Sequence, residues 1–179
     1  MDRATLLHVA MVNSHPVRFY KAPRDDSQYP WHDHEALLVA GGFNLNNGAQ
    51  VIPDSIWKEP HLIMRVICPA TGRPVAIADN RLAREFFNSA PLGMPLISRG
   101  FGEYRDALAE AVGLLIGAMR DPEDRSVWLS NAWLRDQGEQ PMPPTMETEL
   151  RKMTRATGRT LFDPGDGNGL PAGTRSAIH

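Results

Sequence analysis

The segment Pro30–Gly42, PWHDHEALLVAGG, carries two histidines one residue apart, His32 and His34, with Asp33 and Glu35 beside them. Imidazoles and carboxylates at this density can hold a transition metal, and on an extended strand an H-x-H pair puts both rings on one side. A helix does the opposite, because residues i and i+2 lie about 200° apart around its axis. Asp33 and Glu35 suit a helical first turn and Gly41–Gly42 a stop, so residues 31–39 read as a short helix with the two histidines at its polar start. The alternative is a metal-dependent enzyme or metal-binding protein that uses His32 and His34. Its remaining ligands would have to come from His8, His15, His61 or carboxylates, whose spacing supports none of them.

Other chemical patterns point away from catalysis. Residues 163–169, DPGDGNG, lack the alternating acidic order and the closing Glu of a calcium loop and read as a Gly-rich linker. No nucleophile elbow, phosphate loop, dinucleotide fingerprint or zinc-protease motif occurs, so no catalytic residue and no cofactor are expected. Cys68 is alone in the chain, which excludes an internal disulfide, and its apolar setting HLIMRVICPATG reads as that of a buried structural thiol. A single cysteine, an N-terminus unlike a leader and no apolar run of the roughly 18 residues a membrane span needs point to a cytoplasmic protein without a membrane partner.

The net charge of −2 provides no overall field for nucleic acid, so phosphate binding would need a local patch. Two patches qualify. Arg151, Lys152 and Arg155 fall on a short helix near the C-terminus, and Arg81 and Arg84 on the exposed side of another. A solvated charged face is the plainer reading of both.

The elements that must position these residues follow from periodicity. Residues 4–12 and 17–21 are apolar runs separated by the turn signal NSHP, and HLIMRVICPATGRPVAIAD reads as strand, turn and strand. Residues 43–60 read as loop with a turn of helix. Asp79 is placed to cap a helix over 80–89 in which Arg81 can pair with Glu85. Apolar residues from Phe101 through Tyr104, Leu108, Val112 and Leu115 to Met119 define a long helix over 101–119, preceded by a loop. A further helix, begun by Asp121 and Pro122 and ending near Arg135, carries Trp128 and Trp133 on one face. That face and the Gly113/Gly117 pair would suit a helix seam, within the chain or between two copies as a homodimer.

At 179 residues, 42% hydrophobic and 22% charged, the chain is expected to fold as one α+β domain, residues 1–137. Small antiparallel β-hairpins would pack with three to four helices. Residues 138–179, rich in Gly and Pro, read as a flexible tail with one short helix, too poor in apolar side chains to offset the entropy of ordering it.

Taken in order, VRFYK, YPWHDHEALLVAGGF, GRPVAIADNRLAREFFNSA and YRDALAEAVGLLI resemble the BRO-N domain of phage antirepressors over residues 16–117. The resemblance implies a regulatory protein of a bacterium, phage or mobile element, binding nucleic acid or a partner protein. It implies no catalytic residue.

Overall fold

The computed structural model describes residues 2–23, 27–42, 61–89 and 95–158. The loop expected over 43–60 and the Gly-rich 163–169 lie outside them. The fold is α+β, and the chain divides into two compact units: residues 1–24 with 29–111, and residues 25–28 with 112–179.

In the first unit, strands β1 (Leu6–Val12) and β2 (His15–Tyr20) form a hairpin closed by the pair Val12↔His15. The turn is Asn13–Ser14, both at positive φ, which is the two-residue geometry whose twist matches that of paired strands. Strand β3 (Trp31–Asp33) pairs with β2, and the second hairpin, β4 (Ile63–Ile67) with β5 (Pro74–Ala78), joins through β5. The order is β1-β2-β3-β5-β4, antiparallel throughout. Residues 2–4 return to the far edge: Ala4 N–H donates to the Ile67 carbonyl and Ile67 N–H to that of Asp2. The sheet therefore curls around one apolar cluster of Tyr20, Trp31, Val66, Cys68 and Ile77, which includes the buried thiol expected from the sequence.

Alternation along each strand sends Val12, Val17, Phe19, His32 and Ala78 to the other face. There the sheet meets helices α1 (His34–Ala40), α2 (Asn80–Ser89) and the first part of α3 (Pro95–Gly117). Asp79 caps α2 as expected, its carboxylate accepting Arg81 N–H at 2.8 Å. At Gly41, where α1 ends, a β-carbon would meet the Phe86 ring, which packs there against the bare backbone.

The sequence suggested a loop before residue 101, whereas α3 begins at Pro95. Proline is at home in a first turn, and Gly100 is no helix stop: it lets α3 pass against the Asn13 side chain of the β1–β2 turn. The expected helix over 31–39 is also corrected. Trp31–Asp33 is a central strand and the helix starts at His34.

In the second unit, α4 (Pro122–Asp136) is capped by Asp121, which accepts Glu123 N–H. Helix α5 (Pro144–Thr157) ends at Gly158 in the left-handed region. Helix α5 is the short helix expected within residues 138–179, and its contacts with α4 are specific. Leu150 and Thr154 are buried, Thr154 Oγ1 donates to Ser126 Oγ at 3.0 Å, and Asn131 bridges Glu147 and the backbone of Met142. A few well-placed groups offset the poor composition of the segment around them. Beside Gly113 and Gly117, a β-carbon would meet nothing within 4 Å, so neither marks a close helix approach among the described residues. Trp128 and Trp133 are half-buried.

Truncation after Gly138 is therefore expected to destabilise the chain. Loss of a buried leucine alone costs about 2–5 kcal/mol, which at this size lowers the melting temperature by roughly 5–15 °C. A thermal melt of the truncated and full chains checks this, and coincident curves would show that α5 adds nothing.

Candidate functional site

The histidines singled out by the sequence lie at the junction of β3 and α1. His32 sits in the middle of the ladder, opposite Phe19 on β2 and Ala78 on β5. Asp33 is still extended, at φ −65° and ψ 104°, and serves as the N-cap of α1, its Oδ1 accepting Ala36 N–H at 3.1 Å. Arg18 lies 3.7 Å from the other carboxylate oxygen, on the opposite side of the sheet from the imidazoles. His34 is the first helical residue. With Asp33 extended rather than helical, the rings of His32 and His34 point the same way and meet, Nε2 to Nδ1, at 3.4 Å. The divergence expected for a helix does not arise.

Two residues that the sequence did not mark complete the arrangement. Tyr104 on α3 donates its hydroxyl proton to Asn80 Oδ1 at 3.1 Å, and its oxygen stands 3.2 Å from His32 Nδ1. With Asn80 Oδ1 accepting the tyrosine proton, the rest of the chain follows. His34 Nδ1–H donates to His32 Nε2, His32 Nδ1–H to the tyrosine oxygen, and the tyrosine hydroxyl to Asn80. The Tyr104 ring meets His32 edge-on, at 5.4 Å and 86°. All four side chains are buried, His32 completely.

Burial sets the electrostatics. It holds His32 well below the ordinary histidine range, with the neighbouring His34 adding to the effect, and lowers His34 to about 4. Both rings are neutral near pH 7. Asp33 is raised, chiefly by burial, against the opposing pull of the Ala36 amide and Arg18.

The other candidates lie elsewhere. His8 Nε2 faces Glu110 at 3.0 Å, while His15 and His61 are exposed. Among the described residues no group of three or more His, Cys, Asp or Glu side chains is placed to hold a metal ion. Arg81 and Arg84 are half-buried on α2, and Arg81 grips the Asp79 carboxylate through Nε and Nη2. On α5, Arg151 pairs with Asp124 at 2.6 Å, Lys152 with Glu149 at 2.8 Å, and Arg155 holds both oxygens of Glu123.

A groove borders these helices in the second unit. It has a volume of about 470 Å³ and is lined by Ser130, Met142, Thr145, Met146, Glu149, Leu150 and Met153. Met146 and Met153 are 57% and 56% exposed, although they are large apolar residues. The sequence signal for this site is three methionines, at 142, 146 and 153.

Comparison of the chain with protein families, with curated proteins and with solved structures finds no match.

Two outcomes follow from the histidine chain. A histidine neutral when folded takes up a proton on unfolding. Its contribution to stability is complete above the unfolded value of about 6.5 and is lost as pH falls from there toward about 4, roughly 3 kcal/mol for His34 alone. Asp33 has the opposite sign: its raised carboxyl favours the folded state at low pH, an effect lost as pH rises through its folded value, so it offsets the acid limb in part. Urea midpoints measured across this window should decline toward acid, and His34→Gln should flatten the decline; an unchanged slope would contradict the assignment. Tyr104→Phe removes the acceptor for His32 Nδ1–H and is expected to cost about 1–3 kcal/mol in the same assay at neutral pH.

Proposed function

We propose that the protein is a small, non-enzymatic regulatory or interaction protein whose ligand is a partner protein, bound through the methionine-lined groove between α4 and α5. The observation that carries this reading is the open apolar groove itself. Methionine adapts its shape to a partner at little cost, and exposed apolar side chains gathered around a concavity favour an apolar anchor from another chain. The titratable side chains that converge elsewhere are buried and neutral, which favours binding over catalysis. The likeness to BRO-N domains suggests a bacterium, phage or mobile element, and the lone Cys68 a reducing, cytoplasmic setting. No described helix is long and apolar enough to cross a membrane.

Nucleic acid is the weaker ligand. Arg81, Arg151, Lys152 and Arg155 each face a carboxylate, and a phosphate would have to displace it. The test is direct binding of a partner captured from the native host and then purified. Met146→Glu and Met153→Glu should each weaken binding about tenfold or more without altering the fold, and the affinity should change little with salt. A mixed-sequence duplex bound at micromolar protein, with affinity falling steeply in salt and on Arg151→Ala, would instead establish the nucleic-acid reading.

One observation favours the alternative class, a metal site at His32 and His34. Two imidazole nitrogens sharing a tetrahedral ion stand about 3.4 Å apart, and these two are separated by 3.4 Å. Elemental analysis of the purified protein decides: a stoichiometric transition metal, lost on His32→Ala/His34→Ala, would make this the function.

A further inference from the structure

The outer edge of β1 offers a surface of a different kind, made of main chain. β1 pairs with β2 on one side, and among the described residues no strand pairs with its other side. The closure of the sheet by residues 2–4 stops short of Leu6. The two-residue turn fixes which groups face outward. Val12↔His15 closes the hairpin as a hydrogen-bonded pair, so Ala10 and His8 also bond to β2, and the N–H and C=O groups of Val9 and Met11 point away from it. The same two residues carry exposed apolar side chains, Val9 at 46% and Met11 at 58%.

Edge strands are commonly protected from association by Lys, Pro or an inward charge. Leu6–Val12 contains no Lys, Arg, Asp, Glu or Pro. Its only irregularity, the register shift between Leu6 and His8, leaves His8–Val12 as the straight part, and Ala10 is the centre of that part.

We infer that β1 is a self-association strand: two copies of this chain pair β1 with β1, antiparallel, about a two-fold axis at Ala10. In this register Val9 of each copy lies opposite Met11 of the other. Each such pair exchanges both backbone hydrogen bonds, and the exposed side chains cover one another. The match is self-complementary, as a two-fold interface requires. No like charges are opposed, since His8 meets Val12 of the other copy. Of the ionisable groups beside the strand, Arg18 lies 3.7 Å from Asp33 and Glu110 lies 3.0 Å from His8 Nε2. The occupant is a second copy rather than an arbitrary peptide because the straight segment, its outward amides and its exposed side chains share one centre of symmetry. One strand per subunit covers less than the roughly 1,200 Å² of a permanent interface, so the dimer is concentration-dependent.

The test is independent of the groove. Sedimentation of the wild type up to about millimolar concentration should show a monomer–dimer equilibrium. Val9→Lys adds like charges on either side of the axis, and Met11→Pro removes an outward N–H that β2 does not use; each should weaken dimerisation about tenfold or more. Trp133→Glu, in the other unit, should leave it unchanged. On the wild type itself, hydrogen exchange at the Val9 and Met11 amides should slow as concentration rises, a readout that needs no variant. A wild type that stays monomeric overturns the inference. So does a dimer that either folded edge variant leaves intact, or one that forms without protecting these two amides.

Discussion

The first unit depends on the backbone of Asp33 remaining extended. Its place in the ladder opposite Ile77 ties β3 to β5, and its carboxylate begins α1 by accepting Ala36 N–H. Were the residue helical, His32 and His34 would diverge around the helix and the central strand would lose its last rung. The single extended residue between them points both imidazoles into the helical layer and turns its own charge toward Arg18. Tyr104 and Asn80 can then join the two rings into one chain. The residue with the raised carboxyl is thus the one that separates the charged side of the sheet from the neutral polar side.

Much of the fold was legible where the signal is local. Both hairpins, the cap at Asp79 and the helix opened by Asp121 and Pro122 follow from short patterns whose physics is contained in a few residues. The failures are places where a distant contact overrides the local pattern. Three residues are too few to show strand alternation, so Trp31–Asp33 was absorbed into the helix it precedes. Gly100 carries a stop signal, yet its missing side chain is what lets α3 approach Asn13. In the C-terminal segment the expected short helix forms, and what composition does not show is that Leu150, Thr154 and Asn131–Glu147 seat it.

The site was half legible. The histidine pair stood out by residue type, but its geometry depended on where the helix began, and such boundaries are weakly encoded. Tyr104 was read as one of the apolar stripe along α3, which it is. What the stripe concealed is that a buried tyrosine hydroxyl needs a partner, so a Tyr at a core position signals a polar group from some other element. Asn80 gave no signal of its own, because an asparagine next to a helix cap has a sufficient local explanation.

A buried chain of four polar side chains adds less stability than an apolar core of the same volume would, since each group gives up water for one protein partner. Its effect is selective. The proton order is unidirectional, so an alternative packing that misplaces one member leaves a donor facing a donor or an acceptor facing an acceptor in a low-dielectric interior. Only the arrangement that brings β3, α1, α2 and α3 together satisfies all four. The chain therefore acts as a register lock across elements far apart in sequence, here Asn80 and Tyr104 with His32 and His34. A lock of this kind needs neutral imidazoles, and the burial that keeps them neutral also withholds them from solvent.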